Sequence, residues 1–195
     1  DNQGKTYLLR TRQPYSNEIH TRSIQSLYNL RAPQIKKDKN KHAWIIWEHG
    51  NDQEEHIFLA RIQEEKIYCK IELSLGIKGS NHSPSLIFSP HNQAWAAWVN
   101  VYQGKNQIIA KNIASSLRWS IFPGSSSIYS PQIIVDEEGS PWLFWTAAED
   151  GPDKIYYSFF NGEMWAPPTI LASNLEVPHF HPAVTLNENG FPWTT

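Results

Sequence analysis

Tryptophan pairs recur along this chain in a fixed register with proline. Three W-x-x-W pairs stand at Trp44 and Trp47, Trp95 and Trp98, and Trp142 and Trp145, and Trp193 stands where a fourth would begin. A proline precedes the first tryptophan of each copy at a constant distance, and these prolines are Pro33, Pro84, Pro131 and Pro182. Both residue types therefore recur with the same three spacings along the sequence. This shared register indicates an internal repeat of roughly 50 residues.

Each repeat unit reads as four short strands. Apolar residues follow the proline, then a polar turn such as residues 136–139, then the strand that carries the tryptophan pair. A third apolar run, as at residues 155–159, and a fourth around Trp119 or Trp165 complete the unit. Proline lacks the N–H that a strand ladder uses, so we expect it at the first residue of each unit's first strand.

The tryptophan pairs also predict how the sheets are buried. Residues i and i+3 of a strand point to opposite faces, so both faces of each sheet must be covered. A helix would place the pair on one face, but short apolar runs bounded by Pro, Gly and Asn favour strands. Four short antiparallel strands, repeated about every 50 residues, are typical of propeller blades. We therefore predict an all-β chain, a β-propeller of four-stranded antiparallel blades with about 50 residues per blade.

Cutting the chain at the prolines predicts its domain organisation. Three complete blades would span residues 33–83, 84–130 and 131–181. Residues 1–32 would supply the outer strands of a preceding blade, and residues 182–195 the start of a further blade. We expect an incomplete propeller, either a segment of a longer one or a chain that self-associates through its open blade faces. A closed four-bladed ring that shares one blade between the two termini is the alternative.

Composition narrows the function classes. Lys and Arg number 17 and Asp and Glu 19, a net charge of −2 that argues against nucleic acid as a partner. No apolar run approaches the roughly 18 residues that span a bilayer, so no membrane segment is predicted. The single cysteine, Cys69, excludes an intrachain disulfide and is expected to be a buried core thiol. Neither a P-loop nor a G-x-G-x-x-G motif occurs, and we predict no cofactor.

The order of proline, apolar strand, Asp-turn-Gly and aromatic strand resembles the repeats of sialidase-like (BNR-type) propellers over nearly the whole chain. In residues 135–142, Asp136 and Gly139 lie three apart rather than the two of the sialidase Asp-box, and Pro141 replaces its Thr. The resemblance implies that ligands bind on the face carrying the blade-to-blade loops and the loops between second and third strands. A sialidase would also need an arginine cluster, a Tyr nucleophile with a supporting Glu, and an Asp acid/base.

Two sets of residues are predicted on that loop face. The blade entries offer Arg31, His82, Tyr129 and His181. The loops after the second strands offer Glu48, Asn100, Tyr102, Glu149, Asp150 and Asp153. These ligand-binding candidates predict one polar rim of acids, histidines and tyrosines, whereas Glu54 and Glu55 are expected to be solvated turn charges.

A metal site is the alternative for the histidines. His179 and His181, with His82 on another blade entry, could place several imidazoles near the axis. No helical H-E-x-x-H spacing supports this interpretation, and residues 149–153 lack the spacing of a calcium loop. We therefore predict no metal.

The function expected from these features is binding of a glycan or a protein partner through the loop face. Only Arg31 lies at a blade entry among the arginines, so an arginine cluster is not assembled and an enzyme is not favoured. Part of a sialidase-like glycoside hydrolase, with further catalytic residues elsewhere, is the first alternative. A structural or assembly propeller with no small-molecule site is the second. The sequence does not determine where in or outside the cell the protein lies, and an extracellular or cell-surface location is preferred.

Overall fold

The structure is a computed structural model. It describes residues 5–12, 19–26, 29–50, 54–63, 66–115, 117–125, 127–148, 151–171 and 182–194, and only the backbone of those before residue 30. No helix among these residues is long and apolar enough to cross a membrane.

Three four-stranded antiparallel sheets make up most of the described chain. The first contains β3 (Asn29–Lys37), β4 (Ala43–Gly50), β5 (Glu55–Gln63) and β6 (Lys66–Glu72). The second contains β7 (Ser80–Phe88), β8 (Ala94–Tyr102), β9 (Lys105–Asn112) and β10 (Arg118–Ser125). The third contains β11 (Ser127–Val135), β12 (Pro141–Ala148), β13 (Lys154–Phe159) and β14 (Thr169–Ile170). The predicted all-β class with four-stranded antiparallel units is confirmed.

Two-stranded sheets flank these three. β1 (Lys5–Arg12) pairs with β2 (Ile19–Ser26) before them, and β15 (Val184–Leu186) pairs with β16 (Pro192–Thr194) after them. The first strands of successive sheets pack beside one another, β3 against β7, β7 against β11, and β11 against β15. A cavity of about 210 Å³ lies along these strands and is lined by the repeat prolines of the last three copies. The first strand of each sheet is therefore the innermost.

In the three four-stranded sheets the repeat prolines lie inside the first strands, so the expectation that they begin those strands is wrong. β3, β7 and β11 each start well before their proline, at Asn29, Ser80 and Ser127. The strand pairing shifts register around each proline, as in a β-bulge. The residues that precede the prolines, Ala32, Ser83 and Ser130, have φ angles of 44°, 55° and 54°. A bulge leaves one residue out of the ladder, which is where a residue without an N–H is tolerated.

The second tryptophan of each pair is buried between sheets as predicted, and so is Trp95, whereas Trp44 and Trp142 are partly exposed. Trp47, Trp95, Trp98 and Trp145 belong to the core. Trp98 packs with Ile46 and Leu59 of the first sheet, and Trp145 packs with Val99 and Ile108 of the second. Trp193, in contrast, is 67% exposed. Bulky side chains on both faces of β4, β8 and β12 thus join each sheet to its neighbours.

Aspartates brace the turns between the first and second strands. Asp136 accepts hydrogen bonds from the backbone N–H of Ser140 at 2.8 Å and from the indole N–H of Trp142 at 3.1 Å. Asp38 makes the same two bonds at the same distances in the first sheet, the second of them from Trp44. One carboxylate therefore holds both the turn and the first tryptophan of the pair.

The second sheet lacks this brace. Ser89 stands at the position of the aspartate, and its hydroxyl accepts a hydrogen bond from the backbone N–H of Gln93 at 3.1 Å. The indole N–H of Trp95 is buried and has no partner among the described residues. The shorter serine side chain accounts for this orphan donor, because the backbone hydrogen bonds of the turn match those of the first sheet.

Cys69 is exposed, which corrects the expectation of a core thiol. It lies on β6, the edge strand of the first sheet, where Ile67, Tyr68 and Ile71 are also exposed. The apolar sequence of this strand indicated burial, but an outermost strand has no neighbouring strand beyond it to cover its side chains.

Candidate functional site

The bulges bring three of the predicted residues to equivalent places. Arg31, His82 and Tyr129 each precede the residue of positive φ in β3, β7 and β11. They lie at the end of the sheets where second and third strands connect, which is the predicted loop face. Because β3 packs against β7 and β7 against β11, a guanidinium, an imidazole and a phenol lie at the same end of three adjacent strands.

Arg31 forms an ion pair within the first sheet. Its Nη1 lies 3.2 Å from Oε1 of Glu55, the first residue of β5. The Ser80 hydroxyl donates to Oε2 of Glu55 at 3.3 Å, and the Asn81 side-chain amide donates to the Glu55 carbonyl at 3.2 Å. Glu55 thus ties the first sheet to the start of the second, while the Arg31 side chain keeps 44% of its surface exposed.

Glu48 is a buried acid at the junction of the first two sheets. Only 6% of its surface is exposed, and Oε1 accepts a hydrogen bond from the backbone N–H of Ser83 at the bulge of β7. Burial, aided by the charge of Glu55, raises the pKa of Glu48 against the opposing effects of that hydrogen bond and of Arg31. This carboxyl therefore keeps its proton to a higher pH than an ordinary glutamate.

His82 and Tyr129 are held in their neutral forms. Burial lowers the pKa of His82 in spite of the charge of Glu55, and Nδ1 lies 3.1 Å from the Ser83 hydroxyl. Burial, a side-chain hydrogen bond with Asp153 and the charge of that acid raise the pKa of Tyr129 to about 12. At neutral pH the imidazole can both donate and accept hydrogen bonds, and the phenol keeps its proton.

The acidic partners follow the repeat. Glu55 follows Arg31 along the sequence at the same distance at which Asp153 follows Tyr129. Arg31 and Tyr129 therefore each interact with the acid at the start of their own sheet's third strand, whereas in the second sheet, that of His82, Asn106 stands at this position. The prediction of Glu55 as a solvated charge is wrong, since its side chain is mostly buried in an ion pair. The constant spacing between inner residue and acid is the sequence signal that could have identified it.

Asn100 and Tyr102 lie in the second sheet, at the end of β8. Asn100 is buried, and its amide nitrogen donates to the Lys78 carbonyl at 3.0 Å and to Oδ1 of Asn81 at 3.1 Å. Its Oδ1 accepts from the Gln107 amide at 2.8 Å, so this side chain links three segments internally. Tyr102 is 40% exposed and lines a groove with Lys78 and Arg118.

Three of the predicted site residues, Glu149, Asp150 and His181, lie outside the described residues. Within the described part, no group of three or more His, Cys, Asp or Glu side chains is arranged to hold a metal ion. The structure thus brings together Arg31, Glu48 and His82 at the junction of the first two sheets.

The titration of Glu48 gives a testable pH dependence. The pKa of this carboxyl is higher in the folded chain than in the unfolded chain. Its contribution to the stability of the fold is therefore fully present below the unfolded pKa, and it is lost as the pH rises through the folded pKa. Glu48→Gln keeps an acceptor for Ser83 and has no proton to lose. We expect the variant to melt higher than the native chain at pH 7 and to lose this advantage at pH 4. Equal melting differences at both pH values, measured by circular dichroism, would contradict the buried ionisation.

No protein-family model and no curated protein sequence matches this chain. Solved structures match its fold. TolB from Acinetobacter baumannii superposes with a TM-score of 0.63 at 15% identity, covering 96% of this chain and 42% of that one. An endo-arabinase from Bacteroides thetaiotaomicron VPI-5482 gives 0.57 at 13% identity, covering 84% and 68%. A fucose lectin from Kordia zhangzhouensis gives 0.50 at 13% identity, covering 73% and 99%.

These likenesses define the class of fold. Together with three four-stranded sheets whose first strands are innermost, they show that the chain has a β-propeller-like structure. The chain spans less than half of the TolB chain. At such identities the matches concern the fold alone.

Proposed function

We propose that this chain is a propeller module that binds a glycan or a protein partner through its loop face. The observation that carries the proposal is the position of Arg31, His82 and Tyr129 beside equivalent bulges of three adjacent strands. Backbone residues of positive φ cost free energy when they are not glycine, and such strain gathers at functional sites. Here it recurs in three sheets at the same end.

The chemistry of this face suits hydroxyl-rich ligands. Arg31 offers a partly exposed guanidinium, and neutral His82 and Tyr129 offer groups that both donate and accept. Sugar hydroxyls, which also donate and accept, match such a set. A fucose lectin and an endo-arabinase stand among the structural neighbours, which supports a glycan as the first class of ligand to test.

The turns support placing the repeats in the sialidase-like class. Asp38 and Asp136 each hold a turn and the tryptophan that follows it, which is the role a turn aspartate would have in an Asp-box. We infer that these turns are a longer variant of that box, with one residue more between Asp136 and Gly139.

The binding proposal is tested with single variants on a glycan array. Arg31→Ala and His82→Ala are each expected to lower binding about tenfold or more, the loss of roughly 1.4 kcal/mol that one hydrogen bond to a charged or buried group represents. Glu163→Gln, on an exposed turn of the third sheet, is the control and is expected to bind like the native chain. A native chain that binds no glycan on the array and no purified candidate protein would refute the proposal.

Glycoside hydrolysis is the second candidate function, because Glu48 and Glu55 differ in environment. Glu48 is buried with a raised pKa, whereas Glu55 is ion-paired with Arg31. Glycosidases use two carboxyl groups in different surroundings. One keeps its proton and acts as the acid, and the other is ionised and acts as the base or nucleophile. The test is turnover of aryl glycosides, sialosides included. Turnover by the native chain that is lost in both Glu48→Gln and Glu55→Gln would establish glycoside hydrolysis. No turnover by the native chain would remove it.

A further inference from the structure

A second cleft lies at the end of the sheets opposite to the loop face. Its volume is about 370 Å³, and it separates the second sheet from the third. The turns between first and second strands form its two sides, with His91 and Gln93 on one side and Ser140 and Pro141 on the other. This volume lies within the range of roughly 300–1,000 Å³ that is usual for small-molecule sites.

The corresponding place between the first and second sheets is bridged. The backbone N–H of Lys39, in the first sheet's turn, donates to Oδ1 of Asn92, in the second sheet's turn, at 2.8 Å. In the next pair of sheets Pro90 stands at the position of Lys39, and Gly139 at the position of Asn92. Proline has no N–H and glycine has no side chain, so this bridge cannot form between the second and third sheets.

Because Gly139 has no side chain, the turn of the third sheet can lie close to His91 in the turn of the second sheet, and the cleft between the two turns stays narrow. Gly139 has a φ of 90°, and a Cβ at this position would lie 3.3 Å from the His91 ring. The two turns thus approach closely across the missing bridge. Between the third sheet and the two-stranded sheet that follows, the side chain of Glu137 covers the equivalent Gly190. Among the described turns, the open junction is therefore the one formed by Pro90 and Gly139.

Aromatic rings form the floor of this cleft. The Trp119 ring stacks on Trp95 with centroids 5.5 Å apart, and Phe160 lies 5.2 Å from Trp95 and 4.9 Å from Trp119. Trp95 is buried, whereas Trp119 and Phe160 are partly exposed and line the cleft. The floor is therefore rigid and apolar, and two of its rings are accessible.

The rim is polar and nearly uncharged. It offers the side chains of His91, Gln93, Asn112, Ser115 and Ser140, and Glu138 is its one acid, while no Lys or Arg among the described residues lines it. A sugar ring has an apolar face that packs on an aromatic ring and hydroxyls at its edge that reach polar side chains. An anionic ligand would find no cation in this described lining. We propose that the cleft is a binding site for one neutral sugar residue, separate from the loop face.

The test rebuilds the missing bridge. The double variant Pro90→Lys/Gly139→Asn restores the pair seen between the first two sheets, and asparagine tolerates a positive φ. The probes are methyl glycosides of galactose, glucose, mannose, fucose and arabinose, followed by the indole resonances of the ¹⁵N-labelled chain. We expect one or more of them to shift the Trp119 resonance, and the double variant to weaken that binding about tenfold or more.

Matched variants keep the outcome clear. Gly139→Asn alone fills the same space and is expected to weaken binding in a chain that still folds, with a lower melting temperature because a non-glycine residue is strained at a φ of 90°. Asn92→Gly removes the existing bridge and is expected to leave sugar binding unchanged. The proposal would be overturned if the double variant and Gly139→Asn both bound sugars like the native chain. It would also be overturned if no glycoside gave a response, or if the cleft bound tetramethylammonium and no sugar. Sugar binding that is lost in His82→Ala but kept in the double variant would assign the sugar to the loop face and overturn the cleft alone.

Discussion

Replacing Trp145 by alanine is expected to lower the free energy of unfolding by about 3–5 kcal/mol, the cost of truncating a large core side chain. Trp145 is fully buried on β12 and packs against Phe122 of the second sheet and Tyr156 of its own. Its indole N–H has no partner among the described residues, so the loss reports packing with little contribution from hydrogen bonding. Denaturation in urea, followed by tryptophan fluorescence, measures it.

Trp193→Ala is the control at an exposed tryptophan. This tryptophan belongs to the same repeat but is 67% exposed on β16. Its removal is expected to change stability by no more than about 0.5 kcal/mol, as is usual for surface substitutions. Similar costs for the two variants would mean that the buried Trp145 contributes no more than an exposed tryptophan, and the packing described for β12 would be wrong.

The second large effect is expected at the turn of the third sheet. Asp136→Ser converts this turn into the form that Ser89 has in the second sheet, and it removes the acceptor of the Trp142 indole N–H. We expect a loss of about 1–3 kcal/mol, because the variant removes a hydrogen bond to a charged acceptor and leaves a partly buried donor without it. Thermal and chemical denaturation of the native and variant chains measure this difference.

The reciprocal variant, Ser89→Asp, is expected to stabilise the chain by about 0.5–1.5 kcal/mol by supplying an acceptor for the Trp95 indole N–H. Both turns have the same backbone hydrogen bonds between the first and fifth residues, so the carboxylate is expected to reach the ring as Asp38 reaches Trp44. A stabilising Asp136→Ser, or a destabilising Ser89→Asp, would contradict the role assigned to this aspartate.

The stacked sheets could be predicted from the sequence, because a strand with bulky apolar residues on both faces can be buried only between two other layers. Trp44 and Trp47 point to opposite sides of a strand, so each needs a covering layer, and the repeat supplies one. The loop-face position of Arg31 and His82 followed from the same register. The packing that the sheets share was thus predictable from the repeat.

Backbone details inside the strands, and features that belong to a single sheet, were not predictable. The prolines lie in bulges inside the strands, because a proline pattern alone does not separate a strand start from a bulge. Cys69 is exposed because β6 is outermost, a property of the assembled sheets and not of its apolar neighbours. Asn100 is buried in a network that includes Asn81, whose equivalents in the other sheets are Leu30 and Ile128.

The radial arrangement of the sheets is tested most directly by distances between spin labels. In a Cys69→Ser background, one doubly labelled chain carries cysteines at Arg31 and His82, on the innermost strands β3 and β7. A second carries them at Lys70 and Arg118, on the outer strands β6 and β10. The two pairs are separated by nearly the same length of sequence. Blades around an axis predict a clearly shorter distance for the inner pair, and equal distances for both pairs would contradict the propeller arrangement.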